Sequence, residues 1–136
     1  MSTVQGSPLI LLVDSNDSEL SQAAEALTRE GLRVATASTI EEAESVLDTS
    51  SVDLVLIDLQ LSEISGHDFA DYLREAKQVT APIVLWSSLN PDRLASLIAE
   101  CGAAGAIRKD VNMDNLSADL KKFFCSPPAA QIKGQP

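Results

Sequence analysis

Polar and charged side chains follow four separate apolar segments of this 136-residue chain. They are Asp14-Ser15, Asp58, Ser87-Ser88 and Lys109. Carboxylates can hold a divalent metal ion, an ammonium group can neutralise phosphoryl oxygens, and a hydroxyl group can donate a hydrogen bond to another phosphoryl oxygen. These residue types therefore suit phosphoryl chemistry, provided that the fold brings them together.

Asp58 ends the most apolar segment of the chain, SVDLVLIDL at residues 51–59. The run at 54–57 has no polar alternation, which is typical of a strand covered on both faces. A lone buried carboxylate is costly or shifts its pKa unless something pairs with it. In open α/β sheets, ligands bind at the carboxyl ends of the strands. Asp58 is therefore the first candidate for a reactive residue.

The apolar pattern predicts five strands that alternate with five helices. Strands are expected at 9–13, 32–37, 83–86 and 105–108, beside the central strand that ends at Asp58. Helix starts are indicated by the loop at 14–17, by Ser38-Thr39 with the glutamates that follow, and by Asn90-Pro91. A further helix is expected at about 67–77, and the last carries Leu116 and Leu120. Such alternation favours parallel pairing in a doubly wound α/β sheet.

The domain boundaries follow from composition. Residues 9–125 are expected to form one domain, between a disordered lead at 1–8 and a disordered, Pro-rich tail at 126–136.

The net charge of −10 argues against binding to nucleic acid or an anionic membrane and favours a cation or a basic partner surface. No signal peptide or membrane span is evident, and Cys101 and Cys125 are expected to be reduced thiols, so a cytoplasmic protein is expected.

Taken in order, four segments resemble the receiver domains of bacterial two-component response regulators. They are LLVDSND, DLVLIDLQLSEISG, PIVLWSS and GAAGAIRKD. The resemblance covers about residues 8–125. It implies a CheY-like, flavodoxin-like fold, with a five-stranded parallel sheet of order 2-1-3-4-5 and five helices.

The same resemblance implies roles for individual residues. Asp58 would be the phosphoacceptor, taking a phosphoryl group from a sensor histidine kinase or a phosphotransfer protein. The phosphoryl group would be bound by Ser87, Ser88 and Lys109. Mg²⁺ would be held by Asp14, Asp58 and the backbone carbonyl of Gln60, with Ser15 as a weak or water-mediated ligand.

The chain departs from the family pattern at several positions. Ser15 stands where the family usually has a second acidic residue that binds the metal directly, so Mg²⁺ affinity is expected to be weakened. Glu63 or Asp17 could compensate in part. Ala106 occupies the switch position, which is usually aromatic. Two changes expected to matter less are Asp110 for a proline and Leu61-Ser62 for Met-Pro.

Other classes of protein share this fold or these residue types. A nucleotide- or flavin-binding domain is disfavoured because the chain has no glycine-rich phosphate loop. A haloacid-dehalogenase-type phosphatase is disfavoured because its nucleophile follows the first strand and its chain is longer. His67 has no partner that would make it catalytic. We expect a stand-alone response regulator that signals by protein–protein interaction and is no enzyme beyond self-phosphorylation and self-dephosphorylation. The serious alternative is a degenerate pseudo-receiver that acts unphosphorylated.

Overall fold

The structure, a computed structural model, describes residues 8–109, 116–125 and 131–133; the side chains described are those of residues 8–109 and 116–123. The strands are β1 (Leu9–Val13), β2 (Arg33–Ala37), β3 (Leu54–Asp58), β4 (Ile83–Ser87), β5 (Gly105–Arg108) and β6 (Gln131–Lys133). The helices are α1 (Asp17–Arg29), α2 (Ile40–Thr49), α3 (Gly66–Glu75), α4 (Pro91–Cys101) and α5 (Leu116–Cys125).

The strands form one parallel sheet of order β2-β1-β3-β4-β5-β6. The predicted flavodoxin-like order 2-1-3-4-5 with five helices is confirmed. The structure differs from the sequence prediction at the end of the chain, where no folded element was expected within 126–136. Strand β6 pairs there with β5. Without it, β5 would be an edge strand with unpaired backbone groups, and an extended segment can satisfy them.

Successive residues of the central strands face opposite sides of the sheet, and each side is covered by helices. Leu11, Val55 and Leu85 belong to one core cluster, which contains residues of α2, α3 and α4. Ile10 and Leu56 belong to the other, which contains residues of α1 and α5. The sheet is thus buried on both faces, which explains why β3 and β4 are apolar without alternation.

Side-chain caps define the helix starts. Asn16, Thr39, Ser65 and Asn90 each accept a hydrogen bond from the backbone N–H three residues on. In α2 the Glu42 carboxylate reaches back and accepts a hydrogen bond from the Ser38 backbone N–H, one residue before the Thr39 cap, so the predicted capping box forms in a variant arrangement. Helix α3 begins one residue before the predicted start and ends two residues before the predicted end.

Some sequence predictions concern residues that the structure describes only in part. Cys101 is a buried free cysteine, and burial raises the pKa of its thiol. The side chain of Cys125, Asp110 and residues 1–7 of the predicted lead at 1–8 lie outside the described part of the chain. Within the described ranges, no helix is long and apolar enough to cross a membrane.

Candidate functional site

The strand register brings the candidate residues to one edge of the sheet. Val13 pairs with Ile57, so Asp14 and Asp58 lie level with each other on neighbouring strands. Asp58 pairs with Trp86, which places Ser87 one residue further along. Ser87 pairs with Arg108, and the backbone N–H of Lys109 donates to the Ser87 carbonyl oxygen. The carboxyl ends of β1, β3, β4 and β5 therefore meet as the sequence predicts.

Two carboxylates are buried side by side at this edge. Asp14 is 1% exposed and Asp58 is 3% exposed. Asp14 Oδ1 accepts a hydrogen bond from the Asn16 backbone N–H at 2.8 Å, and Asp58 Oδ1 accepts one from the Gln60 N–H at 3.0 Å. Each carboxylate thus stabilises the turn that follows its strand, which orients the second oxygen into the site.

Lys109 pairs with these carboxylates. Its Nζ lies 2.9 Å from Asp58 Oδ2 and 4.0 Å from Asp14 Oδ2, and it also lies 5.0 Å from the centroid of the Trp86 ring. Burial lowers the pKa of Lys109, but hydrogen bonds to Glu19 and Asp58 and the charges of Asp58 and Asp14 outweigh it, so the pKa is raised. The ammonium group is therefore charged where a phosphoryl group on Asp58 would need it.

Glu19 is a member of the site that the sequence analysis missed. Its Oε1 accepts a hydrogen bond from Lys109 Nζ at 2.8 Å. Among the described residues, Asp14, Glu19 and Asp58 each offer an oxygen within 4.8 Å of the others. The available signal was weak: Glu19 directly precedes the buried Leu20 in the first turn of α1, but its partner Lys109 is 90 residues away.

Asp14 is the carboxyl group of this cluster whose charged form is disfavoured by burial. Burial raises the pKa of Asp14 to about 7, the Asn16 N–H acts in the opposite direction, and the neighbouring Asp58 adds to the increase. Two carboxylates about 4 Å apart repel each other by about 4 kcal/mol at an effective dielectric constant of 20. One ammonium group does not fully compensate three carboxylates, so the site favours a further cation.

Ser87 lies beside the carboxylates and Ser88 does not. The Ser87 side chain is buried, and its hydroxyl oxygen accepts a hydrogen bond from the Leu89 N–H at 3.1 Å. The hydroxyl proton of Ser87 has no described acceptor, so the group can donate to a phosphoryl oxygen. Ser88 is exposed in the loop that leads to α4.

The structure turns Ser15 toward the β3–α3 loop. Ser15 Oγ accepts a hydrogen bond from the Ser62 N–H at 2.9 Å and lies 3.3 Å from Ser62 Oγ. Neither proposed substitute for the missing acid joins the cluster. Glu63 Oε1 accepts a hydrogen bond from the Ile40 N–H at 2.8 Å, and Asp17 is an exposed residue at the start of α1.

Two residues without polar side chains shape the site. Ala106, at the predicted switch position, is fully buried in the core that faces α2, α3 and α4. Gly66 packs against the backbone of Asp58 and Leu59, and its N–H donates to the Leu59 carbonyl oxygen at 2.8 Å. This contact fixes the loop at 59–65, which includes Gln60.

The residues at this edge fit a divalent cation. Asp14 Oδ2 is buried without a hydrogen-bond partner among the described residues, which is costly for a carboxylate oxygen unless a cation neutralises it. The donor set is all oxygen, as Mg²⁺ prefers. Asp14 and Asp58 are the residues that would hold the ion, and Glu19 belongs to the same cluster. The ligand role expected of the Gln60 backbone carbonyl stays a prediction.

Comparison with known proteins agrees with this geometry. A family model described as "Response regulator receiver domain" matches residues 10–121. The chain is 31% identical over 114 residues to the transcriptional regulatory protein AfsQ1 of Streptomyces coelicolor, covering 84% of this chain and 50% of that protein. It is 30% identical over 128 residues to the alkaline phosphatase synthesis transcriptional regulatory protein PhoP of Bacillus subtilis, covering 91% and 53%. The chain thus spans about half the length of these curated relatives.

Solved structures share the fold. The chemotaxis response regulator CheY4 of Vibrio cholerae superposes with a TM-score of 0.79 at 22% identity, over 87% of this chain and 99% of that one. A CheY-like receiver domain protein from Methanospirillum hungatei gives a TM-score of 0.77 at 21% identity, over 88% and 95%. The family model covers most of the chain, and Asp14, Asp58, Ser87 and Lys109 lie at one edge of the sheet. The chain belongs to the response regulator receiver domains of two-component signalling systems.

Proposed function

We propose that this domain accepts a phosphoryl group on Asp58 from a histidine kinase or a phosphotransfer protein and passes the signal on through protein contacts. One observation carries the proposal: the Asp58 carboxylate is fixed at both oxygens, by the Gln60 N–H and by Lys109 Nζ, beside the unsatisfied oxygen of Asp14. A carboxylate held in this way is oriented for nucleophilic attack on phosphorus.

The transfer uses the chain's own groups at each step. An Asp58 oxygen forms a bond to phosphorus while the bond between phosphorus and the donor's histidine nitrogen breaks, and the electron pair stays on that nitrogen. Lys109 is 2.9 Å from Asp58 Oδ2 and pairs with the phosphoryl oxygens as they arrive. The Ser87 hydroxyl donates to another phosphoryl oxygen. Bound Mg²⁺ would neutralise charge on the phosphoryl oxygens and on the carboxylates that hold it.

Ser87 also connects the site to the surface. Its hydroxyl oxygen accepts a hydrogen bond from the N–H of Leu89. Leu89 is 41% exposed in the loop before α4. If the Ser87 side chain rotates toward a phosphoryl group to donate its proton, the hydroxyl oxygen moves away from the Leu89 N–H, and the loop that this hydrogen bond positions rearranges. A switch of this kind needs no aromatic ring at Ala106.

The proposal also covers the binding partners of the domain and its location in the cell. The domain's own chemistry would be limited to accepting and releasing the phosphoryl group. A net charge of −10 supports a protein as the direct partner, in preference to nucleic acid. Phosphorylation by a histidine kinase also implies a cytoplasmic location. That the domain acts as a stand-alone regulator stays a prediction of the sequence.

A pseudo-receiver is the second candidate. It is favoured by Ser15, which stands at a usual metal-binding position and is engaged with Ser62. In that case the same surface would bind partners without phosphorylation.

Intact-mass measurement separates the two candidates. The protein is incubated with acetyl phosphate in the presence and absence of Mg²⁺, beside an Asp58→Asn variant. A single phosphoryl adduct that requires Mg²⁺ and is absent from the variant supports phosphorylation of Asp58. A folded wild-type protein that forms no adduct at any Mg²⁺ concentration refutes it and favours the pseudo-receiver.

A further inference from the structure

The first turn of α1 directs Glu19 into the site. Asn16 caps the helix by accepting a hydrogen bond from the Glu19 N–H at 3.0 Å, so Glu19 is the third helical residue. A glutamate there commonly reaches back to the N–H of the cap residue. The Asn16 N–H is already bonded to Asp14 Oδ1 at 2.8 Å. The Glu19 carboxylate bonds instead to Lys109 Nζ, on the face of the sheet where α1 packs.

Strand alternation explains why Glu19, and not Ser15, reaches this place. Leu12, Leu56 and Ile107 face α1 and α5, and Asp14, Asp58 and Lys109 follow each of them by two residues. Ser15 is an odd-numbered neighbour of Asp14, so it follows Val13 to the other side of the sheet. Its hydroxyl group bonds to Ser62. Glu19 therefore brings a carboxylate to this face from the helix that covers it.

An independent observation indicates that this cluster binds a cation. Asp14 Oδ2 is buried and has no hydrogen-bond partner among the described residues. The ammonium group of Lys109 lies 4.0 Å from this oxygen. The cluster brings three carboxyl groups to one ammonium group, so it offers more oxygen ligands than Lys109 alone can pair with.

We propose that Glu19 replaces the acidic ligand missing at Ser15, so that Asp14, Asp58 and Glu19 together hold a divalent cation. Glu19 is 37% exposed in its side chain and can move toward the ion, whereas Asp14 is fixed. In the absence of the ion, Glu19 holds Lys109; binding of the ion frees Lys109 for the phosphoryl group. The proposal rests on the metal-binding part of the proposed function and not on phosphoryl transfer itself.

The test is Mg²⁺ binding to the unphosphorylated protein, measured by isothermal titration calorimetry. The emission of Trp86, the chain's one tryptophan, gives a second readout because its ring lies against Lys109. Glu19→Gln is compared with Asp17→Asn, which removes the same charge from the same helix turn outside the cluster. A Ser15→Asp change is made in wild-type and Glu19→Gln protein, and circular dichroism checks that each variant is folded.

We expect Glu19→Gln to raise the Kd for Mg²⁺ by about tenfold or more and Asp17→Asn to raise it by less than about twofold. Adding Ser15→Asp to Glu19→Gln should restore binding. Equal effects of Glu19→Gln and Asp17→Asn would overturn the inference, as would a wild-type protein that binds no Mg²⁺ while Ser15→Asp does. None of these results decides whether Asp58 is phosphorylated, which the mass measurement tests separately.

Discussion

Gly66 lies directly against the backbone of Asp58, so closely that a β-carbon on Gly66 would overlap with the Asp58 carbonyl oxygen. Backbone atoms cannot move aside as the end of a flexible side chain can. The glycine is therefore required by the close approach of the α3 start to the strand that carries the phosphoacceptor candidate.

Gly66→Ala should accordingly destabilise the domain by about 2 kcal/mol or more. It should also displace the loop that holds Gln60 and slow formation of the Asp58 adduct. Urea denaturation measures the first effect and intact mass the second. Gly31→Ala is the comparison, because Gly31 has a φ of +86° and open space around it, so only backbone strain of about 1 kcal/mol is expected there. Equal losses in the two variants would contradict the steric explanation.

The ion pairs of Lys109 with Asp58 and with Glu19 should contribute unequally. Asp58 and Lys109 have side chains that are 5% and 18% exposed, whereas that of Glu19 is 37% exposed. Double-mutant cycles with Lys109→Met, Asp58→Asn and Glu19→Gln measure each coupling energy without Mg²⁺. We expect about 2 kcal/mol for the pair with Asp58 and less than about 1 kcal/mol for the pair with Glu19. The reverse order would show that Glu19, and not Asp58, holds Lys109.

The sequence predicted the five central strands because they are apolar runs of the right length, and the starts of three helices because they carry recognisable caps. It also predicted which strand ends meet, since parallel strands align their carboxyl ends. It did not predict Glu19, whose role depends on the Asn16 N–H being occupied by Asp14 and on a partner 90 residues away. Such contacts are set by packing and leave no local signal.

Two further differences have the same origin. Strand β6 depends on the free edge of β5, and a short polar-flanked segment such as 131–133 has no periodicity that predicts pairing. The Ser15 to Ser62 contact joins two loops 47 residues apart. Sequence patterns describe what one element buries, whereas these contacts arise between elements that meet only in the folded chain.

Asp14 should make stability depend on pH. Its pKa is raised from 3.8 to about 7, so between these values the folded protein keeps a proton that the unfolded chain has lost. The contribution of Asp14 to stability therefore falls as pH rises through this window. Asp14→Asn cannot titrate, and its amide oxygen can still accept from the Asn16 N–H.

Without Mg²⁺, the variant should be nearly equal to wild type at about pH 4 and more stable by about 4 kcal/mol at about pH 8, because one pKa unit corresponds to about 1.4 kcal/mol. Urea denaturation across this range measures the difference. Mg²⁺ should stabilise wild type at the higher pH and have little effect on Asp14→Asn. A difference that does not change with pH would contradict the assignment of the burial cost to Asp14.

Ser87 should transmit phosphorylation to the loop before α4. In the unphosphorylated domain the Ser87 hydroxyl oxygen holds the Leu89 N–H at 3.1 Å, so that amide is a direct reporter of the hydroxyl group. Adding beryllofluoride, a mimic of the phosphoryl group, should shift the Leu89 amide resonance in wild type and in Ser87→Thr, which keeps the hydroxyl. Ser87→Ala should lose about 1 kcal/mol of stability with this hydrogen bond and should show a much smaller Leu89 shift. If the Leu89 resonance of wild type does not respond although beryllofluoride binds, Ser87 serves only to start the turn into α4, and the signal leaves the site by another route.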